Sequence, residues 1–174
     1  MNTTPTATRV SPRHRSHVVG VGGVVVRDDA VLLVRLAYSH FVGRYMLPGG
    51  IVKVDETIGD GVKREVLEET GVHATVDGVI GVRCRLDEGS LNLYVVFKMT
   101  YQSGDPRPEG RENDDARFFT LAEIEHSDDL GDHLVPYARH LSLRTLRGQV
   151  HLLEVDPYVP SHLAPGTIGW EAFA

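Results

Sequence analysis

The sequence predicts an α/β or α+β sandwich, a β-sheet covered by helices, and three features carry that reading. Between His17 and Tyr101 the apolar content falls mostly in β-branched runs of strand length. One amphipathic helical stretch, Thr57 to Thr70, interrupts these runs, and a second, Leu134 to Leu146, follows them. Strands combined with a central and a terminal helix bury their apolar sides best as stacked layers.

In chain order, Met1 to Ser16 is rich in Thr, Pro, Arg and His without the apolar stretch of a signal peptide, and reads as a disordered arm. Val18 to Arg27 and Ala30 to Leu36 are strand candidates, joined as a hairpin by Asp28-Asp29. A loop from Ala37 to Arg44 leads to a short strand, Tyr45-Met46-Leu47, that delivers Pro48-Gly49-Gly50. In the central helix, Ile58, Val62 and Val66 at i, i+4 and i+8 make the buried stripe, and Gly71 stands where a left-handed residue ends a helix. Two longer strands follow, Ala74 to Leu86, with a possible interruption at Asp77-Gly78, and Leu91 to Tyr101. Gln102 to Asp114 is a polar loop, Ala116 to Phe119 a strand, and Thr120-Leu-Ala-Glu123 a capping box that opens a short helix. Pro136 is tolerated in the first turn of the Leu134 to Leu146 helix. The organisation expected is an arm over residues 1–16, a domain over 17–147 and a tail over 148–174.

Composition narrows the class. A chain of 174 residues suffices for one real core and is short for two. A formal charge of −6 argues against holding a nucleic acid polymer through its backbone. A single cysteine, Cys84, forbids an internal disulfide and reads as a small strand side chain. No apolar run approaches bilayer length, so a soluble, cytoplasmic protein is expected. The nine histidines lack zinc-site spacing. Gly20-x-Gly22-Gly23 lacks the context of a nucleotide loop and reads as close packing in the first strand.

The chemistry concentrates in Gly50-x5-Glu56-x7-Arg64-Glu65-Val66-x-Glu68-Glu69-x-Gly71-Val72. On a helix, Glu65, Glu68 and Glu69 at i, i+3 and i+4 share an arc of roughly 100°. Carboxylates so close repel one another unless a cation neutralises them, and such oxygen ligands suit Mg²⁺ or Mn²⁺. The bland alternative is a solvated acidic face with an Arg64–Glu68 pair, but the flanking glycines and Glu56 speak for a built site.

This pattern resembles the Nudix box, G-x5-E-x7-R-E-U-x-E-E-x-G-U with U aliphatic, at every specified position. The resemblance, which runs from about Val18 to Leu146, implies an α/β/α sandwich with a mixed sheet. It also implies Mg²⁺-dependent hydrolysis of a nucleoside diphosphate linked to another moiety. By the resemblance Glu65, Glu68 and Glu69 are metal ligands with the carbonyl of Gly49, Glu65 is a possible base, and Glu56 and Arg64 support the box with Gly50 and Gly71. A further acid from a later loop is expected at Glu112, as catalytic residue and metal ligand, with Glu109 and Asp114 as weaker candidates.

Substrate contacts are expected from Arg44 and Tyr45, with His40 and Phe41, before the glycine loop, and from Arg83 and Arg85 on one strand face. Marks that accompany particular substrates within the family are missing: the proline beyond the box, the tyrosine in the same zone, and the tract of the NADH hydrolases. Their absence weakens each of those labels without excluding any. The expectation is a general nucleoside diphosphate or triphosphate hydrolase, with ADP-ribose, nucleotide sugars and (oxidised) dNTPs as the main candidates, acted on as small molecules. A homodimer fits family habit. Two other classes stay open: a diphosphate isomerase on the same fold, which needs a cysteine at the site, and a nucleotide-binding regulatory module without turnover.

Overall fold

The first β-branched run forms β1 (His17–Arg27), and this strand organises the sheet. The computed structural model describes residues 17–87, 90–126, 130, 133–156 and 172–174; the expected arm lies outside them. A tight turn with Asp28 at φ 52°, a left-handed position that Asp tolerates, leads into β2 (Ala30–Leu36) as expected. The two strands pair only at Val26–Val31 and Arg27–Ala30. The other half of that edge of β1, Gly20 to Gly22, pairs antiparallel with β4 (Gly49–Ile51), which follows the short β3 (Tyr45–Met46). The glycine stretch is thus itself a short strand, held on the part of the β1 edge that β2 leaves unpaired.

On its opposite edge β1 runs parallel to β6 (Ser90–Ser103), from His17 beside Leu91 to Val26 beside Thr100. β6 in turn pairs antiparallel with β5 (His73–Asp87), and β7 (Asn113–Thr120) with β2. The sheet is therefore mixed, in the order β3-β2-β1-β6-β5 with β8 (Leu153–Asp156) and β9 (Ala172–Phe173) beyond.

Alternation along the strands separates two cores. Val21, Val25, Leu32, Phe97 and Met99 face α1 (Ile58–Thr70), meeting Val62 and Val66. Val24, Leu33, Tyr94, Val96 and Phe119 face the other way, against Ile124 of α2 (Leu121–His126) and Leu134, Ala138 and Leu141 at α3 (Pro136–Leu146). This is the expected sandwich.

Several boundaries differ from expectation for local reasons. α3 begins at Pro136 rather than Leu134, because the residue before a proline is pushed out of the helical region and Val135 sits at ψ 127°. β5 passes unbroken through Asp77-Gly78, absorbing the irregularity as register shifts. Part of the expected tail is sheet: β8 pairs with β5 at Gly78 and Val79, so close that a Cβ on Gly78 would lie 2.2 Å from the carbonyl oxygen of Leu153. The early glycines serve packing, as expected. The Tyr94 ring lies over Gly20 and Gly22, and Met99 and Val66 close on Gly23.

Candidate active site

α1 carries the carboxylates, and its ends are fixed by its sequence. Thr57 caps the first turn, accepting the Asp60 N–H at 3.1 Å. Gly71 ends it at φ 69°, its N–H reaching the carbonyl of Leu67 at 2.9 Å. β4 meets the carboxylates of this helix through the backbone of Gly49 and Gly50. A Cβ on Gly50 would lie 2.6 Å from the Glu65 carboxylate, and one on Gly49 would lie 2.1 Å from the carbonyl oxygen of Val21.

Arg64 binds the loop after β4 to the helix. Its Nε and Nη2 donate to the two oxygens of Glu56 at 2.9 and 2.6 Å, and Nη2 also reaches the carbonyl of Ile51 at 3.2 Å. Its Nη1 donates to Glu65 at 2.7 Å and Glu68 at 2.9 Å. Arg64 beside it holds the Glu56 carboxyl down to about 2, helped by the Lys53 N–H and opposed by burial. The expected supporting role of Glu56 and Arg64 has this geometry behind it.

Glu69 is only 8% exposed and accepts the Gly49 N–H at 2.8 Å. Burial pushes its carboxyl up to about 8; the Gly49 N–H draws it back, and the charges of Glu65, Glu112 and Glu109 push it further. From the opposite wall the loop before β7 brings Glu109 and Glu112. The Glu109 carboxylate accepts the N–H groups of Arg111 and Glu112, at 3.0 and 2.7 Å, which hold it below the usual range. Glu112 lies 3.5 Å from the Tyr38 hydroxyl and 3.3 Å from Arg111 Nη2.

These groups line one cleft of about 430 Å³, with Gly49 and Gly50 beside Glu65, Glu68, Glu69, Glu109 and Glu112, and with Tyr38, Lys53 and Arg111. The structure thus brings the expected acids together. Among the described residues, no three acidic, histidine or cysteine side chains are already gathered around one ion position. The reason is visible: Glu65 and Glu68 turn to Arg64, Lys53 lies 3.7 Å from Glu68, and Glu69 turns to Gly49. The donor set still fits Mg²⁺ or Mn²⁺, since it consists of hard carboxylate oxygens with surplus negative charge in a half-enclosed cleft.

The residues expected at the substrate do not meet there. Tyr45 is buried, its hydroxyl donating to Asp115 and its ring packed edge-on to Phe119 at 4.7 Å. Arg44 is half-buried, and Arg83 donates to Asn92 at 3.0 Å with its guanidinium 5.1 Å from the centre of the Tyr94 ring. Neither they nor the exposed Arg85 line the acid cleft, and neither does the exposed Cys84. A larger cleft, about 690 Å³, lies against α3 with Arg139, His140 and Arg144; among the described residues it shares none with the first and is lined by no carboxylate.

Lys53, Tyr38, Arg111 and Asn113 were not singled out by sequence. Lys53 falls at an unrestricted position of the box, and Arg111 and Asn113 differ in no local pattern from their polar neighbours. Tyr38 had one usable signal, an aromatic residue in a polar loop near the glycines.

Residues 16–140 match the family model described as "NUDIX domain". Over 92 residues the chain is 44% identical to a "MutT-like protein" of Streptomyces ambofaciens, a stretch that covers 52% of this chain and 56% of that protein. It is 32% identical over 108 residues to an "ADP-ribose pyrophosphatase" of Methanocaldococcus jannaschii, covering 61% and 63% respectively. The chain spans less than two thirds of either relative. Its fold is similar to that in the crystal structure of a NUDIX hydrolase from Nitrosomonas europaea, with a TM-score of 0.67 at 24% identity over 78% of this chain and 73% of that one.

Proposed function

Because this chain belongs to the Nudix hydrolase family, we propose that the acid cleft hydrolyses the diphosphate linkage of a nucleoside diphosphate joined to another moiety, with Mg²⁺ as cofactor and Mn²⁺ as substitute. The observation that carries this reading is the convergence of Glu65, Glu68 and Glu69 of α1 with Glu109 and Glu112 of the facing loop on one cleft. A divalent cation held there would neutralise phosphate oxygens and acidify water near them.

The chain's own residues supply the rest. Glu65, Glu68 and Glu69, with Glu112 and the Gly49 carbonyl, would hold the cation; Arg64 fixes the first two and the Gly49 N–H fixes the third. Glu112 is the better base, because Arg64 holds Glu65 at 2.7 Å whereas the nearest donor to Glu112 is 3.3 Å away. Water attacks one phosphorus of the linkage while its proton passes to Glu112. The bridging P–O bond breaks with its electron pair on the departing phosphate, leaving a nucleoside monophosphate and a phosphorylated remainder. Lys53 and Arg111 offer positive charge to the phosphates, and Tyr38 offers a ring face to a base or sugar.

The substrate candidates are ADP-ribose, nucleotide sugars and (oxidised) dNTPs, and the similarity to an ADP-ribose pyrophosphatase supports the first. Hydrolysis is favoured over isomerisation because Cys84 does not line the cleft. A cytoplasmic location and a homodimer belong to the same proposal; among the described residues no helix is long and apolar enough to cross a membrane. The test is a Mg²⁺-dependent screen of these compounds, with dinucleoside polyphosphates and prenyl diphosphates added and products identified by mass. One substrate cleaved by the wild type and spared by Glu69→Gln supports the proposal. Nucleotide binding without any turnover would overturn it.

A further inference from the structure

We infer that Asn113 is the positioning residue that fixes the loop acid Glu112 relative to the helix acid Glu69; the inference rests on the reading of the cleft given above. Asn113 is polar, uncharged and fully buried at 0% exposure. Both ends of its amide are used. Nδ2 donates to the backbone carbonyl of Glu69 at 3.0 Å, and Oδ1 accepts the Glu109 N–H at 2.9 Å. Its own carbonyl accepts the Gly110 N–H at 3.0 Å, so the acid turn is closed from inside by one residue. The Glu109 carboxylate then holds the Glu112 N–H at 2.7 Å, and the Glu112 carbonyl accepts the Ala37 N–H at 2.9 Å. Glu112 therefore has its backbone set on both sides, and the chain of bonds leads back through Asn113 to the residue whose carboxylate it faces.

A β-bulge makes this possible. Arg35 lies opposite Asp115 and Leu36 opposite Asn113, so Asp114 is an extra residue on β7. In a regular strand Asn113, two residues before Asp115, would point to the same side as Asp115, which reaches Tyr45 in the core that α3 covers. The bulge turns Asn113 toward α1, while Asp114 goes outward to Arg35 at 2.7 Å. A buried amide left without partners is costly, so the loop keeps its register on the helix end. Two acids from elements far apart in sequence, Glu69 and Glu112, are in this way held as one constellation, and a small displacement at such a site is enough to lower turnover.

The test uses Asn113→Ala and Asn113→Asp in the full chain, each alone and combined with Glu112→Gln, with folding checked by circular dichroism and thermal unfolding. The aspartate keeps the shape and the acceptor for Glu109 and loses the donor to Glu69, so it carries the test if the alanine variant does not fold. Mn²⁺ binding is measured by calorimetry without substrate, and turnover with the substrate the screen provides. Each single variant is expected to weaken Mn²⁺ binding at least about tenfold and to lower kcat at least about tenfold. In the Glu112→Gln background the same substitutions should cost less than about twofold in kcat, because the group they position is already gone. Equal losses in both backgrounds, or unchanged Mn²⁺ binding, would overturn the inference while leaving the metal site standing. A wild-type protein that binds no Mn²⁺ would overturn the reading of the cleft and the inference with it.

Discussion

Arg64 and Glu56 meet fork to fork, with N–O distances of 2.9 and 2.6 Å and side-chain exposures of 19% and 13%. A pair this far from solvent is stiff in geometry and expensive to break from one side. Arg64→Ala is expected to destabilise the fold by about 2 kcal/mol, between the values for exposed and fully buried pairs. It should also lower kcat at least about tenfold by releasing Glu65 and Glu68. Arg64→Lys should recover little of either, because an ammonium cannot serve both oxygens in one plane. Urea unfolding and steady-state kinetics on the two variants check both statements.

The same pair predicts an acid limit. The Glu56 carboxyl is held at about 2 in the folded state against an ordinary 4.5. Its contribution is therefore complete above about 4.5 and is lost as pH falls toward 2. Urea midpoints of the wild type should fall through that window, and Arg64→Ala should flatten the slope there.

Glu69 has the opposite sign. Its folded value of about 8 lies above the ordinary 4.5, so the metal-free folded protein holds a proton that the unfolded chain releases. Between those two values the metal-free protein should lose stability as pH rises. Mg²⁺ should offset that loss, so that its effect on Tm is larger at pH 8 than at pH 6, by about 3 °C or more. Glu69→Gln should raise the metal-free Tm at pH 8 and abolish turnover. Scanning calorimetry with and without Mg²⁺ at the two pH values decides the matter, and an equal Mg²⁺ effect at both would contradict the assignment.

Glu112 is 45% exposed and bears little of the fold. Glu112→Gln should therefore lower kcat at least about tenfold with Tm unchanged, in the range expected for loss of a general base. Wild-type turnover in that variant would remove Glu112 from the chemistry.

The arginines separate two readings of phosphate contact. Arg111→Ala should raise KM about tenfold with little change in kcat, as for loss of binding energy shared by ground and transition states. Arg83→Ala should leave KM alone and lower Tm, since Arg83 is spent on Asn92 and Tyr94. A KM effect from Arg83 instead would restore the strand-face reading.

The parts of this site that lie within one helical repeat were legible in the sequence, because i, i+3 and i+4 spacing converts directly into geometry. Thr57 and Gly71 marked the ends of α1, and Val62 and Val66 its buried side, by the same local rules. What was not legible depends on pairings between distant segments. Tyr45 looked like a neighbour of the glycines by sequence, yet strand pairing of Tyr45 with Arg35 turns it into the core below Phe119. Arg83 and Arg85 do alternate as expected, but alternation names a face without saying what covers it. The role of Asn113 depends on a one-residue bulge at Asp114, which no composition signal distinguishes from Asn113 or Asp115 beside it. The docking of Leu153 on Gly78 needed the course of the chain after α3.

The parallel contact of β1 with β6 has a consequence for how the chain is made. His17 cannot meet Leu91, nor Val26 meet Thr100, until the intervening glycine loop, acidic helix and β5 have all been synthesised. During that interval the valine-rich β1 has no partner along one edge, and closing so long a loop delays its rescue. The growing polypeptide must therefore carry a strand with one open, aggregation-prone edge while residues 28–90 are made. Expression at lower temperature, or with chaperones that bind extended apolar segments, addresses that interval rather than any weakness of the finished molecule.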